Sequence, residues 1–323
     1  MPAVLHQFTV AADQAHQTLA ALLRHWLPGQ SWSQVRKLVA SRRVKLNGEL
    51  WLDDARRLKE SDSVEILEQS EHAPKLVDNI VLRHVDAHVM VVEKPSGIST
   101  VRHPAEYDWS DERRQVVPTL DDLVLRQTGQ RASGVSRGRS RLRIVQRLDK
   151  ETSGLVVFAR TVEAERGLGA QFKAHTVTRR YLAIVPGRVG AQTVRSFLVR
   201  DRGDGRRGSG PTDAAGKEAV THIAVEEDLH GYTLLSCKLK TGRTHQIRIH
   251  LAELGRPVCG DKVYRGKLGL PPVPDESGAP RLALHAAELG FVHPVSGEAM
   301  HWEMPLPDDL QQLVERLWKH GQN

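Results

Sequence analysis

The sequence predicts an α+β protein made of two domains of unequal size. Within residues 1–70, two apolar stretches at helical spacing precede residues that alternate between apolar and polar. Beyond residue 80, short β-type runs are interspersed irregularly with helical stretches, which is typical of a mixed sheet. The chain of 323 residues is also long enough for two domains. We therefore expect a small domain at 1–70, a linker at 71–79 and a larger domain at 80–323.

The small domain begins with two short helices. Leucines and a tryptophan recur at helical spacing within 17–26, and Ser31 or Ser33 can cap a second helix. Apolar residues then alternate into Asn47-Gly48, a strong signal for a tight turn between two strands. These features predict a compact helix–helix–hairpin unit, and the stretch of mixed charge that follows it predicts the linker.

Five β-type runs mark the larger domain. Their apolar residues are mainly valine, leucine and isoleucine, which suit the strands of a packed sheet. The runs lie at 89–94, 155–160, 181–185, 221–227 and 232–240. Because the helical stretches between them are irregular, the pattern favours α+β over repeated strand–helix units.

Positive charge is concentrated in two clusters. Lys and Arg number 46 against 39 Asp and Glu, which gives a net charge of +7 at pH 7. The first cluster, 14–48, holds six basic residues and no acidic one, and the second, 131–150, holds seven basic residues and one acidic residue. For either cluster alone, a solvated face or a flexible loop is as good an explanation as phosphate binding. Together they favour a polyanionic partner bound through its phosphates.

Composition argues against several other classes of protein. The two cysteines, Cys237 and Cys259, do not suit a disulfide scaffold and supply no paired zinc motif. No apolar run approaches the ~18–20 residues of a membrane span, and the N-terminal segment lacks the pattern of a signal peptide. We expect a cytoplasmic protein with no membrane partner.

The stretch 146–154 carries the strongest candidate for chemistry. It reads Gln-Arg-Leu-Asp-Lys-Glu-Thr-Ser-Gly and leads directly into a predicted buried strand. Arg147 and Lys150 flank Asp149, and nearby positive charge favours the ionised form of a carboxylate. The alternative is that Asp149 and the Thr-Ser-Gly segment only shape a turn.

A second stretch, 241–255, predicts a short helix entered through a tight turn. Three apolar residues fall on one helical face, and Gly255 suits the left-handed position past the helix end. Arg248 then projects from an ordered element. His245 and His250 are five residues apart, whereas a metal-binding pair on a helix favours a spacing of four. We therefore expect no metal site here, and we expect both histidines to make hydrogen bonds to the backbone or to RNA.

Both stretches resemble motifs of the RluA class of RNA pseudouridine synthases. The chain reads RLDKETSGLVVFAR and TGRTHQIRIHL in the places of that family's aspartate and arginine motifs. Further landmarks follow in the family's order at 93–99, 179–185, 216–222 and 282–298. The resemblance implies an α+β pseudouridine synthase fold with a mixed, mainly antiparallel sheet and a central cleft. It also implies an enzyme that isomerises specific uridines of structured RNA to pseudouridine and needs no cofactor or metal.

The resemblance also implies roles for individual residues. Asp149 corresponds to the catalytic aspartate, acting either as nucleophile at C1′ or as base at C2′ of the ribose. Arg248 corresponds to the arginine that pairs with this carboxylate, and Tyr181 to the tyrosine that stacks on the uracil. The larger domain's expected RNA-binding residues are Arg147, Arg243 and His245.

The small domain resembles the S-four-like RNA-binding fold, named for a small-subunit ribosomal protein. The resemblance lies in SWSQVRKLVASRRVKLNGE and in the later LKESDSVEI. Four basic residues on or just after the second helix can follow a phosphate backbone: Arg36, Lys37, Arg42 and Arg43. By analogy with the family, we expect a monomer acting on large-subunit ribosomal RNA, with transfer RNA as the alternative target.

Two departures from the family pattern and two rival functions complete the sequence-based analysis. Gln146 stands where the family usually has His, and the segment 105–143 is long. A non-catalytic RNA-binding protein is expected to lack Asp149 or its partners. A glycosidase or nucleobase glycosylase of the two-carboxylate kind needs a second acid, for which Glu151 is the nearby candidate.

Overall fold

The computed structural model shows two compact units, residues 1–77 and 78–323. The described residues are 3–41, 43–51, 54–69, 79–107, 109, 114, 117–129, 142–210 and 216–320. Arg42, nearly all of the predicted linker at 71–79 and part of the long segment 105–143 lie outside them. The boundary between the two units falls within the predicted linker.

The first unit contains two helices and a four-stranded sheet in its described part. The helices are α1 (Leu19–Trp26) and α2 (Trp32–Ala40), and the strands are β1 (Val4–Thr9), β2 (Val44–Leu46), β3 (Glu49–Leu50) and β4 (Ser63–Leu67). The strands pair antiparallel in the order β1-β4-β2-β3. The predicted pair of helices and the hairpin are confirmed.

Local sequence signals set the ends of these elements. The Ser31 hydroxyl accepts a hydrogen bond from the Gln34 amide at 3.3 Å, and the Gln34 side chain accepts one from the Ser31 amide at 2.7 Å. This reciprocal capping box fixes the start of α2, so Ser31 and not Ser33 is the cap. Asn47 and Gly48 have φ angles of 53° and 79°, as the tight turn between β2 and β3 requires.

The first unit has a hydrophobic core of its own. Its buried residues come from both helices, from strands β2 and β4 and from the connecting segments: Val10, Leu19, Ala20, Leu22, Leu23, Val35, Val39, Val44, Leu46, Leu58, Val64 and Ile66. Strand β1 was not predicted. Its sequence VLHQFT does not alternate between apolar and polar residues, so periodicity could not reveal it, and Val4 and Leu5 are about half exposed.

The second unit is the α+β domain that the sequence predicts. Its strands are β5 (Leu82–Val85), β6 (Val89–Lys94), β7 (Arg143–Ile144), β8 (Ser153–Ala159), β9 (Thr178–Pro186), β10 (Gln192–Val199), β11 (Gly208–Ser209), β12 (Lys217–Asp228), β13 (Tyr232–Leu239), β14 (Leu284–Val292) and β15 (Ala299–Glu303). Its described helices are α3 (Leu120–Gln127), α4 (Val162–Ala174), α5 (Gln246–Glu253) and α6 (Asp308–His320).

These eleven strands form one sheet that is antiparallel apart from a single neighbouring pair among the described strands. The order along the sheet is β11-β10-β12-β13-β9-β14-β8-β6-β5, with β15 on β14 and β7 on β8. The parallel pair is β14 with β8. The predicted mixed, mainly antiparallel sheet is thus confirmed.

Helices cover the sheet through two apolar clusters. One cluster joins α5 and α6 to β9 and β13, with Ile247 and Leu313 among its buried members. The other joins α4 to β6 and β8 through residues such as Leu168 and Val157. None of the described helices is both long and apolar enough to cross a lipid bilayer.

Candidate active site

A cavity of about 730 Å³ lies in the second unit, where strand ends meet helix α5. It is lined by the segment 144–150, by the turn 242–245 and by Tyr181. Asp149 is the one carboxylate among the described residues that line it, and Glu151 does not line it. The Lys and Arg residues of the lining are Arg102, Arg147, Lys150, Lys173, Arg179, Arg243 and Arg248. The cavity is therefore strongly cationic around a single acid.

Asp149 lies in a turn that is held on its N-terminal side and closed on its C-terminal side. The Thr152 amide donates to the Asp149 carbonyl at 3.1 Å and closes the turn. Just before the turn, the Thr100 hydroxyl accepts from the Leu148 amide at 3.0 Å and donates to the Leu148 carbonyl at 2.9 Å. Because the amide and the carbonyl of Leu148 are both hydrogen-bonded, the backbone just before Asp149 is fixed, and so is the direction in which the Asp149 side chain projects.

Strand β8 approaches β14 closely where it leaves this turn. Gly154 has a φ of 122°, and a Cβ at this position would lie 2.2 Å from the backbone oxygen of Ala286. A glycine is required here for both reasons. The Thr-Ser-Gly segment therefore does shape a turn, as the alternative interpretation held, but Asp149 keeps 23% of its side chain exposed beside the cavity.

Lys94 connects the turn that contains Asp149 to the neighbouring loop at 95–98 through hydrogen bonds. Its side chain is buried, and Nζ donates to the carbonyls of Pro95 at 2.9 Å, Ile98 at 2.7 Å and Lys150 at 2.9 Å. Burial lowers the pKa of Lys94 to about 7. Three carbonyl acceptors match the three donors of an ammonium group, so this arrangement suits the protonated form.

Arg248 projects from α5 and contacts two carboxylates of unequal kind. Nε and Nη2 donate to the two oxygens of Asp261 at 2.6 Å and 2.9 Å, and Nη1 donates to Asp149 at 3.4 Å. The Asp261 side chain is fully buried and also accepts from the amides of Val263 and Tyr264. Burial alone would lower the pKa of Arg248, but Asp261 and then Asp149 raise it above its usual value. The bidentate pair fixes the guanidinium and directs its third nitrogen at Asp149.

His245 extends this network on the other side of Asp149. Its Nδ1 lies 2.8 Å from the Tyr264 hydroxyl, and its Nε2 lies 3.8 Å from the Asp149 carboxylate. The Tyr264 ring in turn lies under the Arg248 guanidinium at 5.1 Å. Burial lowers the pKa of His245 despite the neighbouring Asp149. His245, predicted as an RNA-binding residue, therefore directly neighbours the candidate catalytic carboxylate.

Tyr181 lies on β9 and lines the same cavity as Asp149 and Arg248. Its pKa is raised by burial, so the hydroxyl stays protonated at neutral pH. The three predicted catalytic residues thus lie around one cavity, and a partly buried aromatic ring is available there to contact a base.

The other predicted residues of this unit also line the cavity. Arg147 is exposed, whereas Arg243 is anchored by its Nε, which donates to the Glu218 carbonyl at 2.9 Å. Gln146, in place of the family's usual His, donates from Nε2 to the Leu155 carbonyl at 3.2 Å. Its buried Oε1 has no hydrogen-bond partner among the described residues. The Gln146 side chain therefore still reaches β8 from the cavity wall.

His250 lies away from His245 and has separate partners. Its Nδ1 lies 2.9 Å from the Thr221 hydroxyl and its Nε2 lies 3.0 Å from the Ser196 hydroxyl. Burial lowers the pKa of His250 to about 4, so the ring is neutral near pH 7. His250 thus makes hydrogen bonds, as expected, but its partners are side-chain hydroxyls and not the expected backbone or RNA.

The predicted RNA-binding residues of the small domain lie in the first unit. Arg36 and Lys37 are exposed on α2, and Arg36 forms an ion pair with Asp54 at 3.3 Å. Arg43 donates from Nε to the Leu67 carbonyl at 2.9 Å. Lys37 and Arg43 line a groove of about 340 Å³. Arg42 lies outside the described residues.

Sequence analysis missed three residues that support the site: Asp261, Tyr264 and Thr100. Asp261 and Tyr264 belong to a loop, and each acts on the site through a partner 13 or 19 residues away in the chain. A usable signal was present for Asp261. It is an acidic residue between apolar positions in VCGDKVY, where an unpaired buried carboxylate would be costly.

Comparisons with known proteins match this chain to the family that its motifs resemble. The sequence model of the family described as RNA pseudouridylate synthase matches residues 88–253. The chain is 36% identical over 322 residues to ribosomal large subunit pseudouridine synthase D of Xanthomonas campestris pv. campestris, covering 97% of this chain and 92% of that one. It is 39% identical over 240 residues to the protein of that name from Zymomonas mobilis subsp. mobilis, covering 74% of this chain and 73% of that one.

Solved structures share the fold over about three quarters of this chain. Human RNA pseudouridylate synthase domain containing 1 aligns with a TM-score of 0.54 at 24% identity, over 76% of this chain and 97% of that one. Human RNA pseudouridylate synthase domain containing 4 aligns with a TM-score of 0.52 at 22% identity, over 73% of this chain and 92% of that one. The family match and the 36% identity to the Xanthomonas campestris relative over nearly its whole length show that the chain belongs to the RNA pseudouridylate synthase family.

Proposed function

We propose that this enzyme converts uridines of the large-subunit ribosomal RNA to pseudouridine, with Asp149 as the residue that begins the reaction. The activity class follows from the family. The choice of RNA is supported by the relatives from Xanthomonas campestris and Zymomonas mobilis, whose names specify the large ribosomal subunit.

The observation that carries the assignment of Asp149 is its isolation as an acid. It is the one carboxylate among the described residues lining the cavity, and Arg248 Nη1 lies 3.4 Å from it. Nearby positive charge favours the ionised form of a carboxylate, which both proposed routes require. A two-carboxylate hydrolase would need a second acid facing the same cavity, and Glu151 does not line it.

The reaction breaks the C1′–N1 bond of uridine and forms a C1′–C5 bond, while a proton leaves C5 and N1 gains one. Asp149 serves either as the nucleophile at C1′ or as the base at C2′. Tyr181 provides a ring on which the uracil stacks. Since a base in folded RNA is out of reach, the uridine has to be extruded first, which costs a few kcal/mol. The cationic lining offsets this cost by binding phosphates.

Arg147, Arg243 and His245 surround Asp149 in the cavity and are proposed to contact the RNA. We assign the second contact surface to the first unit, through Arg36, Lys37, Arg42 and Arg43 as an S-four-like domain. Location in the cytoplasm and a monomeric state stay predictions from the sequence.

Mapping pseudouridines in total RNA from cells with and without the gene tests the target. We expect one or more sites of the large-subunit ribosomal RNA to revert to uridine when the gene is deleted, and to be restored by the wild-type gene but not by Asp149→Asn. Loss of pseudouridine from transfer RNA alone would replace the proposed target.

A further inference from the structure

Two adjacent arginines on β9 point to opposite faces of the sheet and have different surroundings. Arg180 forms ion pairs with Glu288 at 2.6 Å, Glu303 at 3.6 Å and Glu226 at 3.9 Å. These carboxylates, led by the hydrogen bond from Glu288, raise the pKa of Arg180. Its charge is therefore satisfied within the protein.

Arg179 faces the cavity and has no such partners. It makes no ion pair with any described residue, and its Nε is buried without a hydrogen-bond partner among them. Among the described residues, the one polar contact of its guanidinium is a long one, from Nη2 to the Leu239 carbonyl at 3.5 Å. Burial lowers the pKa of Arg179. An arginine nevertheless stays protonated in a protein, so a cation is held here without a matching anion from the described part of the chain.

The position of this cation is well defined. Its guanidinium lies over the Phe172 ring at 5.5 Å. On the other side is Gly242, where a Cβ would come within 2.5 Å of Arg179 Nη1. The absence of a side chain at Gly242 therefore leaves space for the guanidinium against the cavity wall. A ring below and a glycine beside it hold Arg179 in place without neutralising it.

The neighbours of Arg179 indicate what kind of anion it binds. Because side chains alternate along a strand, Arg179 lies on the same face of β9 as Tyr181. Lys173 and His175, at the end of α4, line the same wall of the cavity. An arginine fork suits the oxygens of a phosphate, and an RNA chain whose uridine lies against Tyr181 carries a phosphate on each side of that nucleotide.

We propose that Arg179 binds a phosphate of the RNA backbone beside the uridine held in the cavity. The bound phosphate supplies the counter-charge that the described residues lack. This role rests on the family's action on RNA and does not depend on which RNA is the target.

The test measures RNA binding by Arg179→Gln in an Asp149→Asn background. The matched control is Arg166→Gln, since Arg166 is exposed on α4 and does not line the cavity. The probe is an RNA fragment that the wild-type enzyme converts, in which each phosphate near the target uridine is replaced in turn by a neutral methylphosphonate. Conversion of the unmodified fragment by the wild type tests the proposed target separately.

We expect Arg179→Gln to weaken binding of the unmodified RNA roughly ten- to hundredfold, as for a hydrogen-bonded charge, and the Arg166 control to change it little. The salt slope of the binding constant should fall by ~0.7. One methylphosphonate should weaken binding to the Arg179-containing protein and have no further effect on Arg179→Gln. If Arg179→Gln and the methylphosphonate weaken binding independently at every phosphate position, so that their effects multiply throughout, the proposal is wrong.

Two further variants keep the charge and protect against a folding defect. Arg179→Lys should retain the salt slope with a modest loss of affinity, because a lysine is a point charge without the fork. Gly242→Ala should displace the guanidinium and weaken binding without removing any charge. Turnover is measured for Arg179→Gln with Asp149 intact. If this variant has slower turnover while affinity and salt slope in the Asp149→Asn background are unchanged, Arg179 only positions Tyr181 and the proposal is wrong.

Discussion

The charged groups of the cavity and those of the first unit's basic face are held in opposite ways. In the cavity, Arg248 is bound by two atoms to Asp261, whose side chain is fully buried. On the basic face, which we define as Arg36, Lys37 and Arg43, the side chain of Arg36 is 68% exposed beside its partner Asp54. Buried, hydrogen-bonded charges fix geometry, whereas exposed ones contribute attraction that salt screens. The first arrangement suits chemistry and the second suits affinity.

The largest expected effect is the complete loss of turnover in Asp149→Asn. This change removes the charge that both proposed routes require while keeping nearly the same shape. Folding should be unaffected, because Arg248 keeps both of its bonds to Asp261. Pseudouridine formation on an RNA substrate, together with thermal unfolding, provides the measurement.

RNA binding by Asp149→Asn is the control for this prediction. It should stay close to that of the wild type, since the cationic lining and the basic face are both unchanged. Measurable turnover in the purified variant would remove Asp149 from its assigned role.

Asp261→Asn should have the next largest effect, because it breaks the pair that positions Arg248. Removing one partner of a buried ion pair typically costs ~3–5 kcal/mol of folding stability. The guanidinium also loses its orientation toward Asp149, and a misplacement of this kind costs roughly a hundredfold in kcat. Urea unfolding and steady-state kinetics measure the two effects separately.

Asp228→Asn is the matched control for Asp261→Asn. Asp228 pairs with Arg188 at 3.0 Å, but these side chains are 44% and 85% exposed. Breaking such a surface pair should cost less than ~1 kcal/mol and leave kcat unchanged. Equal effects of the two substitutions would show that the buried pair has no special role in the site.

The difference between Asp149 and Asp261 also shows what could be predicted from the sequence. Asp149 lies in a contiguous motif that resembles a known family, so its role was predicted before its partners were known. Asp261 acts through Arg248 across a loop and through two backbone amides beyond it. Such a contact depends on the path of the chain in space. The local sequence around Asp261 can indicate a buried acid, but it does not specify Arg248 as the partner.

The same distinction applies to the fold. The strand Val89–Lys94 coincides with a predicted β-type run because its own apolar residues indicate a buried strand. The contact of β8 with β14 pairs Ser153 with His285, far apart in the chain, and requires Gly154 to lie against Ala286. Sequence periodicity predicts which segments form strands, but the order of strands in the sheet is set by packing between distant segments.

Acid should destabilise the folded protein through His250, which is buried on α5. The pKa of His250 is lowered by burial to about 4. Below pH ~6.5 the unfolded chain therefore binds a proton that the folded protein does not accept until about pH 4, so stability is lost as the pH falls through this window. The loss from His250 approaches about 3 kcal/mol when the window is crossed. Urea unfolding at a series of pH values measures it.

His250→Gln removes the titrating group and retains the capacity to hydrogen-bond Thr221 or Ser196. The variant should be less sensitive to acid than the wild type between pH 6.5 and 4, whereas His222→Gln, at an exposed histidine, should match the wild type. An unchanged pH profile in His250→Gln would mean that His250 is protonated in the folded protein throughout this range.

The smallest effect per residue is expected from changes to the basic face together with Arg42, the sequence neighbour of Arg43. Replacing Arg36, Lys37, Arg42 and Arg43 by glutamine should weaken RNA binding and flatten its dependence on salt, by ~0.7 in the log–log slope for each lost contact to single-stranded RNA. The value of kcat at saturating RNA should not change, because the cavity is untouched. Binding measured across a range of salt concentrations provides the slope.

Glutamine at Lys59 and Arg57 serves as the control, since these residues belong to the same unit but lie in its acidic stretch. The control pair removes two positive charges and the quadruple change removes four. If the control pair flattens the slope about half as much as the quadruple change, net charge and not this face governs binding. If instead the quadruple change lowers kcat at saturation, the first unit also positions the RNA for the reaction, and the separation between an affinity surface and a chemical site fails.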